Sequence, residues 1–205
     1  MQNKKLVIVA HPNIKNSKVN KRWIEELNKY PDEIVVHELY SKYSNGEFDI
    51  KYEQTMLEKY DTIIFQFPIY WFNCPPLLKK WFDDVFTYGW AYGASGNMLA
   101  NKKIGFAVSA GSKEIDFSVK GKYSATLENV LLPFKLTTLY VKALYCSYFS
   151  FYGAEDEINF THLESSAVEY IEFIKKYNFT PERILYLKLK LFFRCIYPFF
   201  SFCLI

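Results

Sequence analysis

A polar segment with the composition of a phosphate-binding loop follows the first apolar run of the sequence. The run KLVIVA at 5–10 leads into HPNIKNSKVN, which brings His11, Asn16, Ser17 and Asn20 to the start of a helical pattern. Free backbone N–H groups and the positive end of the helix dipole favour an anion there. Neither the GxGxxG pattern of a dinucleotide-binding fold nor the GxxxxGK[ST] pattern of a P-loop is present. A helix cap at Ser17 and a turn at His11 would explain the same residues without a ligand.

Aromatic side chains are concentrated at 65–86, in FQFPIYWFNCPPLLKKWFDDVF. Pro75 and Pro76 interrupt the pattern before the next helix begins, so part of this segment must leave the core and line a crevice. A flat heteroaromatic ring stacks on aromatic side chains, with about 0.5–1.5 kcal/mol per ring pair beyond area burial. Satellite core or a subunit interface would give the same composition. The candidate ring platform consists of Pro68, Ile69, Tyr70, Trp71 and Phe72.

A loop of small residues, SAGS at 109–112, follows a later apolar run. Small side chains let backbone amides approach a ligand closely, and amides directed at a developing negative charge stabilise it. One glycine in a turn is common, so this loop supports a ligand site only together with the other two. Its residues are Ser109, Ala110, Gly111 and Ser112.

Short apolar strands alternating with amphipathic helices must position these three loops. Strands are predicted at 5–10, 34–39, 62–67, 103–109 and 143–149. Helices are predicted at 19–30, 52–60, 77–86, 124–132, where Pro133 ends the helix, and 162–177. This alternation predicts an α/β fold with a doubly wound, five-stranded parallel sheet and helices on both faces. Ligands bind such sheets beyond the carboxyl ends of the strands, where the winding reverses, and the three loops begin there.

Composition and charge exclude several classes of protein. The 205 residues are half hydrophobic and one-fifth aromatic, which suits one domain with a sizeable core. Four basic residues against one Glu in the tail at 180–205 account for the formal charge of +3, so the body at 1–179 has no basic patch of the nucleic-acid-binding type. Cysteines without CxxC spacing, and no secretory signal, favour a reduced cytoplasmic protein.

Several chemistry-bearing residues are interpreted as structural. Cys74 and Cys146 are expected to pack as small hydrophobic residues. His37 and His162 are expected to be ordinary surface or helix-edge residues. No metal-spaced His/Cys set, carboxylate pair or nucleophilic triad is present, so the sequence predicts no metal site.

Four motifs together carry a family resemblance. They are AHP at 10–12 with S-x-x-N at 17–20, QFPIYWFNCPPLLKKWFDDVF at 66–86, GWAYG at 89–93 and SAGS at 109–112. The sequence resembles the flavodoxin-like NAD(P)H quinone oxidoreductases of the DT-diaphorase family. It is most similar to their small bacterial members, which include ancillary subunits of glutathione-gated potassium-efflux systems. The resemblance covers about residues 4 to 177.

The resemblance implies a bound flavin and gives each loop a role. His11 and the stretch formed by Ser17, Lys18, Val19 and Asn20 would hold the flavin phosphate. Residues 68–71, with Phe72 beside them, would lie along the isoalloxazine ring. The loop at 109–112 would hydrogen-bond the pyrimidine edge of the ring, and its amides would meet the negative charge that develops near N1 and O2 on reduction. FMN is favoured over FAD, because the body of this chain is as short as the proteins in the bacterial branch of the family.

The resemblance also implies a reaction in two steps. NADH or NADPH gives a hydride to the flavin and leaves, and an acceptor such as a quinone takes its place. The animal enzymes have a tyrosine and a histidine that assist the transfer, and Phe117 and, approximately, Tyr123 occupy the matching places. Phe117 cannot share a proton and is counted with the cofactor-binding residues. Tyr123 is the candidate catalytic residue, and an ordinary residue at a helix entrance is the alternative.

Partners and competing functions follow from the same resemblance. The family shares its active site across a two-fold homodimer, and the aromatic residues at 81–82 and 90–92 are expected contributors. The competing functions are a flavin-bearing regulatory subunit of a membrane potassium-efflux system and a single-electron carrier; the AHP loop argues against the carrier. The tail at 180–205 has only eleven uncharged residues at its end, against roughly 20 needed to span a bilayer. It could pack on the partner subunit, contact a membrane surface or transporter, or have little role.

Overall fold

The computed structural model describes residues 4–176, which form a five-stranded parallel sheet. The strands are β1 (Lys5–Val9), β2 (Ile34–Glu38), β3 (Thr62–Pro68), β4 (Lys103–Ser109) and β5 (Leu144–Phe151). Their order in the sheet is β2-β1-β3-β4-β5, and every pair is parallel. This is the flavodoxin-like doubly wound order, in which the winding reverses between β1 and β3. The predicted fold class is confirmed.

Helices cover both faces of the sheet. They are α1 (Val19–Leu27), α2 (Leu39–Lys42), α3 (Ile50–Glu58), α4 (Pro76–Val85), α5 (Leu127–Val130), α6 (Leu132–Tyr140) and α7 (Phe160–Lys176). Single turns of 3₁₀ helix lie at Ile14–Asn16 and Glu114–Asp116. The predicted strands agree with the observed ones within two residues at each end.

Two hydrophobic cores lie on opposite faces because side chains alternate along each strand. In β1, Leu6 and Ile8 join the core beneath α3, α4 and α6, and Val7 and Val9 join the core beneath α1 and α7. Trp23 of α1 is fully buried in the second core. Within residues 4–176, the sheet is therefore covered on both faces, and its edges and strand ends are left open to a ligand.

The predicted helix at 124–132 is wrong. Helix α5 is a single turn, and Pro133 lies in the first turn of α6 instead of ending a helix. A proline is tolerated in the first turn because the N–H group it lacks has no partner there. Pro76 is likewise the first residue of α4, one position before the predicted start of that helix at Leu77.

Two residues that were expected at the surface are buried. Trp81 is fully buried, so it cannot contribute to a dimer surface, and its indole N–H donates to the Glu53 carboxylate at 2.9 Å. His37 is also buried, and its Nε2 atom lies 3.0 Å from the Glu53 carboxylate. The Tyr43 hydroxyl donates to the same carboxylate at 2.6 Å. Burial alone would raise the pKa of Glu53, but hydrogen bonds from His37 and Tyr43 outweigh it and hold that pKa below its usual value.

The other expectations for isolated residues have mixed outcomes. Cys74 is buried as predicted, whereas Cys146 is half-buried on the edge strand β5. His162 is exposed, and its ring stacks on Phe151 at 4.8 Å. Within residues 4–176, no helix combines the length and the apolar character that crossing a membrane requires. The tail at 180–205 lies outside the described residues.

Candidate functional site

The three predicted loops meet at the carboxyl edge of the sheet. They follow β1, β3 and β4, which are neighbours in it, and Pro68 pairs in register with Ser109. The Ile69 N–H donates to the Ser109 carbonyl at 2.8 Å, which continues the ladder beyond the strand. A cleft of about 310 Å³ opens between the loops. The predicted residues that line it are His11, Ser17, Lys18, Val19, Pro68, Ile69, Tyr70, Ser109 and Gly111.

A second cleft of about 190 Å³ adjoins the first. The predicted residues that line it are Ile69, Trp71, Phe72, Ala110, Gly111, Ser112, Phe117 and Tyr123. The candidate ring platform is therefore divided, since Tyr70 lines the first cleft, Trp71 and Phe72 line the second, and Ile69 lines both. Of the residues predicted for the site, Asn20 lines neither cleft.

Asn20 lies beneath the clefts, where it connects two of the loops. Its side-chain amide donates to the Ser109 hydroxyl at 2.8 Å, and the buried Gln66 amide donates to the Asn20 carbonyl at 3.1 Å. Gln66 was missed from the sequence, although a glutamine inside the apolar strand TIIFQF is a recognisable signal. Its carbonyl oxygen is buried without a hydrogen-bond partner among the described residues. This cluster fixes the first loop relative to the third.

The first loop offers hydrogen-bond donors to its cleft. The Ser17 hydroxyl accepts from the Asn20 N–H at 3.1 Å, so Ser17 caps the helix and also lines the cleft. The Asn13 N–H donates to His11 Nδ1 at 3.1 Å, which leaves the His11 proton on Nε2. Burial lowers the pKa of His11 and favours this neutral form. Together with Lys18 and the positive end of the α1 dipole, these donors suit an anion.

The second loop contains a strained turn. Tyr70 and Asn73 exchange backbone hydrogen bonds of 2.8 and 2.9 Å, and the two residues between them, Trp71 and Phe72, have φ angles of 50° and 59°. Positive φ at both central positions is characteristic of a type I′ turn and costs about 1 kcal/mol or more for each bulky residue. The Trp71 side chain is 95% exposed beside the second cleft. Strain of this kind tends to persist where function requires it.

The third loop has fewer free amides than expected. The Ala110 N–H donates to the Phe151 carbonyl at 2.8 Å, so it is unavailable to a ligand, and Gly111 and Ser112 carry the remaining candidate amides. The Ser112 and Tyr123 hydroxyls are 2.6 Å apart at the second cleft. Tyr123 lies in a turn before α5, with its ring centroid 5.1 Å from that of the buried Phe117.

A fourth loop, which follows β5, was missed. The N–H groups of Gly153 and Ala154 donate to the carbonyls of Ser112 and Ala110, both at 2.9 Å, so the fourth loop is joined to the third. Ala154 lines the first cleft and Glu155 lines both. The rule that selected the other loops, the carboxyl end of a strand, also applies here. The sequence did not point to this loop, because β5 is the edge strand and lies away from the reversal of winding.

Comparison with known proteins identifies the family. A family model described as a flavodoxin-like fold matches residues 3–174. The chain belongs to this family.

Within residues 4–176, no group of three or more His, Cys, Asp or Glu side chains is arranged to hold a metal ion.

Three similar proteins extend this finding. The uncharacterized NAD(P)H oxidoreductase YrkL of Bacillus subtilis is 40% identical over 172 residues, which cover 84% of this chain and 98% of YrkL. The ancillary protein KefG of the glutathione-regulated potassium-efflux system of Cronobacter sakazakii is 38% identical over 134 residues, 65% of this chain and 72% of KefG. The crystal structure of general stress protein 14 of Treponema denticola, in complex with FMN, has a TM-score of 0.80 and 43% identity, and the match covers 84% of this chain and 98% of that one. The resemblance in the sequence motifs is confirmed.

Proposed function

We propose that this protein is an FMN-dependent NAD(P)H oxidoreductase that passes reducing equivalents from a nicotinamide to a quinone or a similar acceptor. The observation that carries the proposal is the pair of adjoining clefts, one beside a helix N-terminus and the other beside aromatic rings. A ligand with a phosphate at one end and a planar ring at the other matches this arrangement. The FMN-bound protein of Treponema denticola and the NAD(P)H oxidoreductase YrkL support it.

The residues of the first cleft fit the phosphate end of FMN. His11, Ser17 and Lys18 line this cleft at the start of α1, and they can donate through an Nε2–H group, a hydroxyl and an ammonium. A phosphate dianion needs several donors and little negative charge nearby. Among the described residues that line this cleft, Glu155 is the one carboxylate. Asn20 supports the loop from below and, in this proposal, touches no ligand.

The residues of the second cleft fit a ring with an exposed face. When bound, FMN supplies two-electron transfer chemistry. Trp71 and Phe72 provide flat aromatic contacts and Ile69 an aliphatic one, and the amides of Gly111 and Ser112 can stabilise negative charge at the edge of the ring. The Tyr123 hydroxyl, which shares a hydrogen bond with Ser112, would donate to an acceptor molecule in the open part of the cleft. Phe117 excludes water behind it without taking part in proton transfer.

Purification with and without added FMN tests the proposal. A yellow protein whose flavin absorbance is bleached by NADH or NADPH and restored by a quinone supports it. A folded protein that cannot be loaded with FMN or FAD refutes it. The comparison of NADH with NADPH in the same assay identifies the preferred nicotinamide.

A second candidate function is a flavin-bearing regulatory subunit of a membrane potassium-efflux system. The similarity to KefG favours it. Bleaching by a nicotinamide without turnover by any quinone would support this function over the oxidoreductase.

We propose that the active unit is a homodimer formed through α6. Leu132, Leu136, Leu139 and Tyr140 are spaced along one face of this helix, and their exposed fractions lie between 44% and 66%. Exposed apolar stripes of this kind are typical of protein–protein interfaces. An apolar groove of about 180 Å³ between α4 and α6, lined by Phe82 among others, lies beside this face.

A further inference from the structure

Glu155 occupies the junction of the two clefts. Ile69, Gly111 and Glu155 line both clefts, so a ligand that extends from one into the other must pass these three residues. Glu155 is the charged residue among them. Within residues 4–176, its carboxylate forms no salt bridge, so no protein cation neutralises it directly.

The fold fixes this position. The fourth loop is joined to the third by the backbone hydrogen bonds of Gly153 and Ala154, and Glu155 follows directly. A Cβ atom on Gly111 would lie 2.6 Å from Glu155 Cδ, so the carboxyl group packs directly on the backbone at residue 111. Glycine at this position is what allows the close approach.

We infer that Glu155 lowers the reduction potential of the FMN bound in this site. The inference rests on the proposed function, since it needs FMN as the ligand that spans the two clefts. An ionised carboxylate only accepts hydrogen bonds, so it fits the hydroxyl groups of the ribityl chain or an N–H group of the ring. Two-electron reduction adds negative charge to the ring, and a carboxylate nearby opposes that charge.

The size of the effect follows from Coulomb's law. Glu155 is exposed, so the effective dielectric constant is closer to that of water than to that of a protein interior. Unit charges a few ångströms apart under these conditions change an equilibrium by about three- to tenfold. Because the potential measures the ratio of the affinities for oxidised and reduced FMN, the carboxylate weakens the binding of reduced FMN by that factor relative to oxidised FMN.

The test compares Glu155→Gln with Glu157→Gln in the full-length, FMN-loaded protein. Both substitutions remove one negative charge from the same loop, and both positions are exposed, but Glu157 lines neither cleft. The midpoint potential is measured by equilibration with a reference dye, and the affinity for oxidised FMN by fluorescence titration.

We expect Glu155→Gln to favour reduced FMN by about three- to tenfold, and tenfold corresponds to about 30 mV for a two-electron couple. Glu157→Gln should change the ratio less than twofold. A potential that is unchanged or lower in Glu155→Gln, or shifts that are equal in the two variants, would overturn the inference alone. Wild-type protein that takes up no flavin would overturn the proposed function and this inference with it.

Discussion

Replacing Trp71 with asparagine should separate stability from ligand binding. Trp71 has a φ of 50° and is 95% exposed. Burial of its ring therefore contributes little stability to offset the strain of its backbone. The left-handed conformation costs a bulky residue about 1 kcal/mol or more, whereas asparagine tolerates it. We expect Trp71→Asn to raise the free energy of unfolding of the flavin-free protein by about 0.5–1 kcal/mol.

The same substitution should weaken ligand binding. A ring pair contributes about 0.5–1.5 kcal/mol beyond area burial, so the dissociation constant of FMN, or the KM of the nicotinamide, should rise about two- to twelvefold. Trp71→Phe is the matched control, because it keeps both the ring and the strain and should leave both quantities close to wild type.

Urea denaturation of the flavin-free protein and fluorescence titration with FMN measure the two effects. A loss of 1 kcal/mol or more in Trp71→Asn would show that the tryptophan stabilises the turn, contrary to the reasoning above. A gain in stability with unchanged FMN binding and unchanged nicotinamide KM would leave the strain without the functional reason proposed for it.

Three further predictions concern buried charge, the phosphate and the dimer. Glu53→Gln should lower the free energy of unfolding by about 3 kcal/mol at pH 7, because donors such as His37 lose their buried carboxylate. The pKa of Glu53 is lower in the folded state than its unfolded value near 4.3, so the ionised carboxylate stabilises the fold above that value and ceases to do so as the pH falls. In urea denaturation, the difference in the free energy of unfolding between variant and wild type should therefore narrow below about pH 5. Lys18→Ala should weaken FMN binding about fivefold in a fluorescence titration. The affinity for riboflavin, which has no phosphate, should stay within twofold of wild type, and equal losses of affinity for the two ligands would contradict a phosphate contact. The double substitution of Leu136 and Leu139 by glutamate should convert dimers to monomers in sedimentation velocity, and an unchanged dimer would place the interface elsewhere.

The fold was predictable because each strand is short, apolar and bounded by turn residues. KLVIV and TIIFQFP are buried along their whole length, which is the pattern of a parallel strand covered on both faces. The error at Pro133 shows where local signals fail. A proline ends a helix that precedes it and begins one that follows, and only the packing of Phe134 in the core distinguishes the two cases.

The candidate site was predictable as a set of loops but not as a set of contacts. Strand order brings the loops after β1, β3 and β4 together, and that order follows from general rules for doubly wound sheets. The division of Tyr70 and Trp71 between two clefts depends on a turn with two left-handed aromatic residues, which no turn rule favours. His37 was misjudged for a similar reason, because its burial depends on Glu53, sixteen positions away.

The buried cluster beneath the clefts suggests how the two ends of a ligand are held at a fixed separation. Gln66 contacts Asn20, and Asn20 contacts Ser109, so the loop proposed for the phosphate and the loop proposed for the ring edge share one rigid support. The side-chain oxygen of Gln66 is buried without a hydrogen-bond partner among the described residues, which costs about 1–3 kcal/mol of stability. An apolar residue at this position would avoid that cost. Gln66 therefore lowers the stability of the fold while it holds the two loops at a fixed separation.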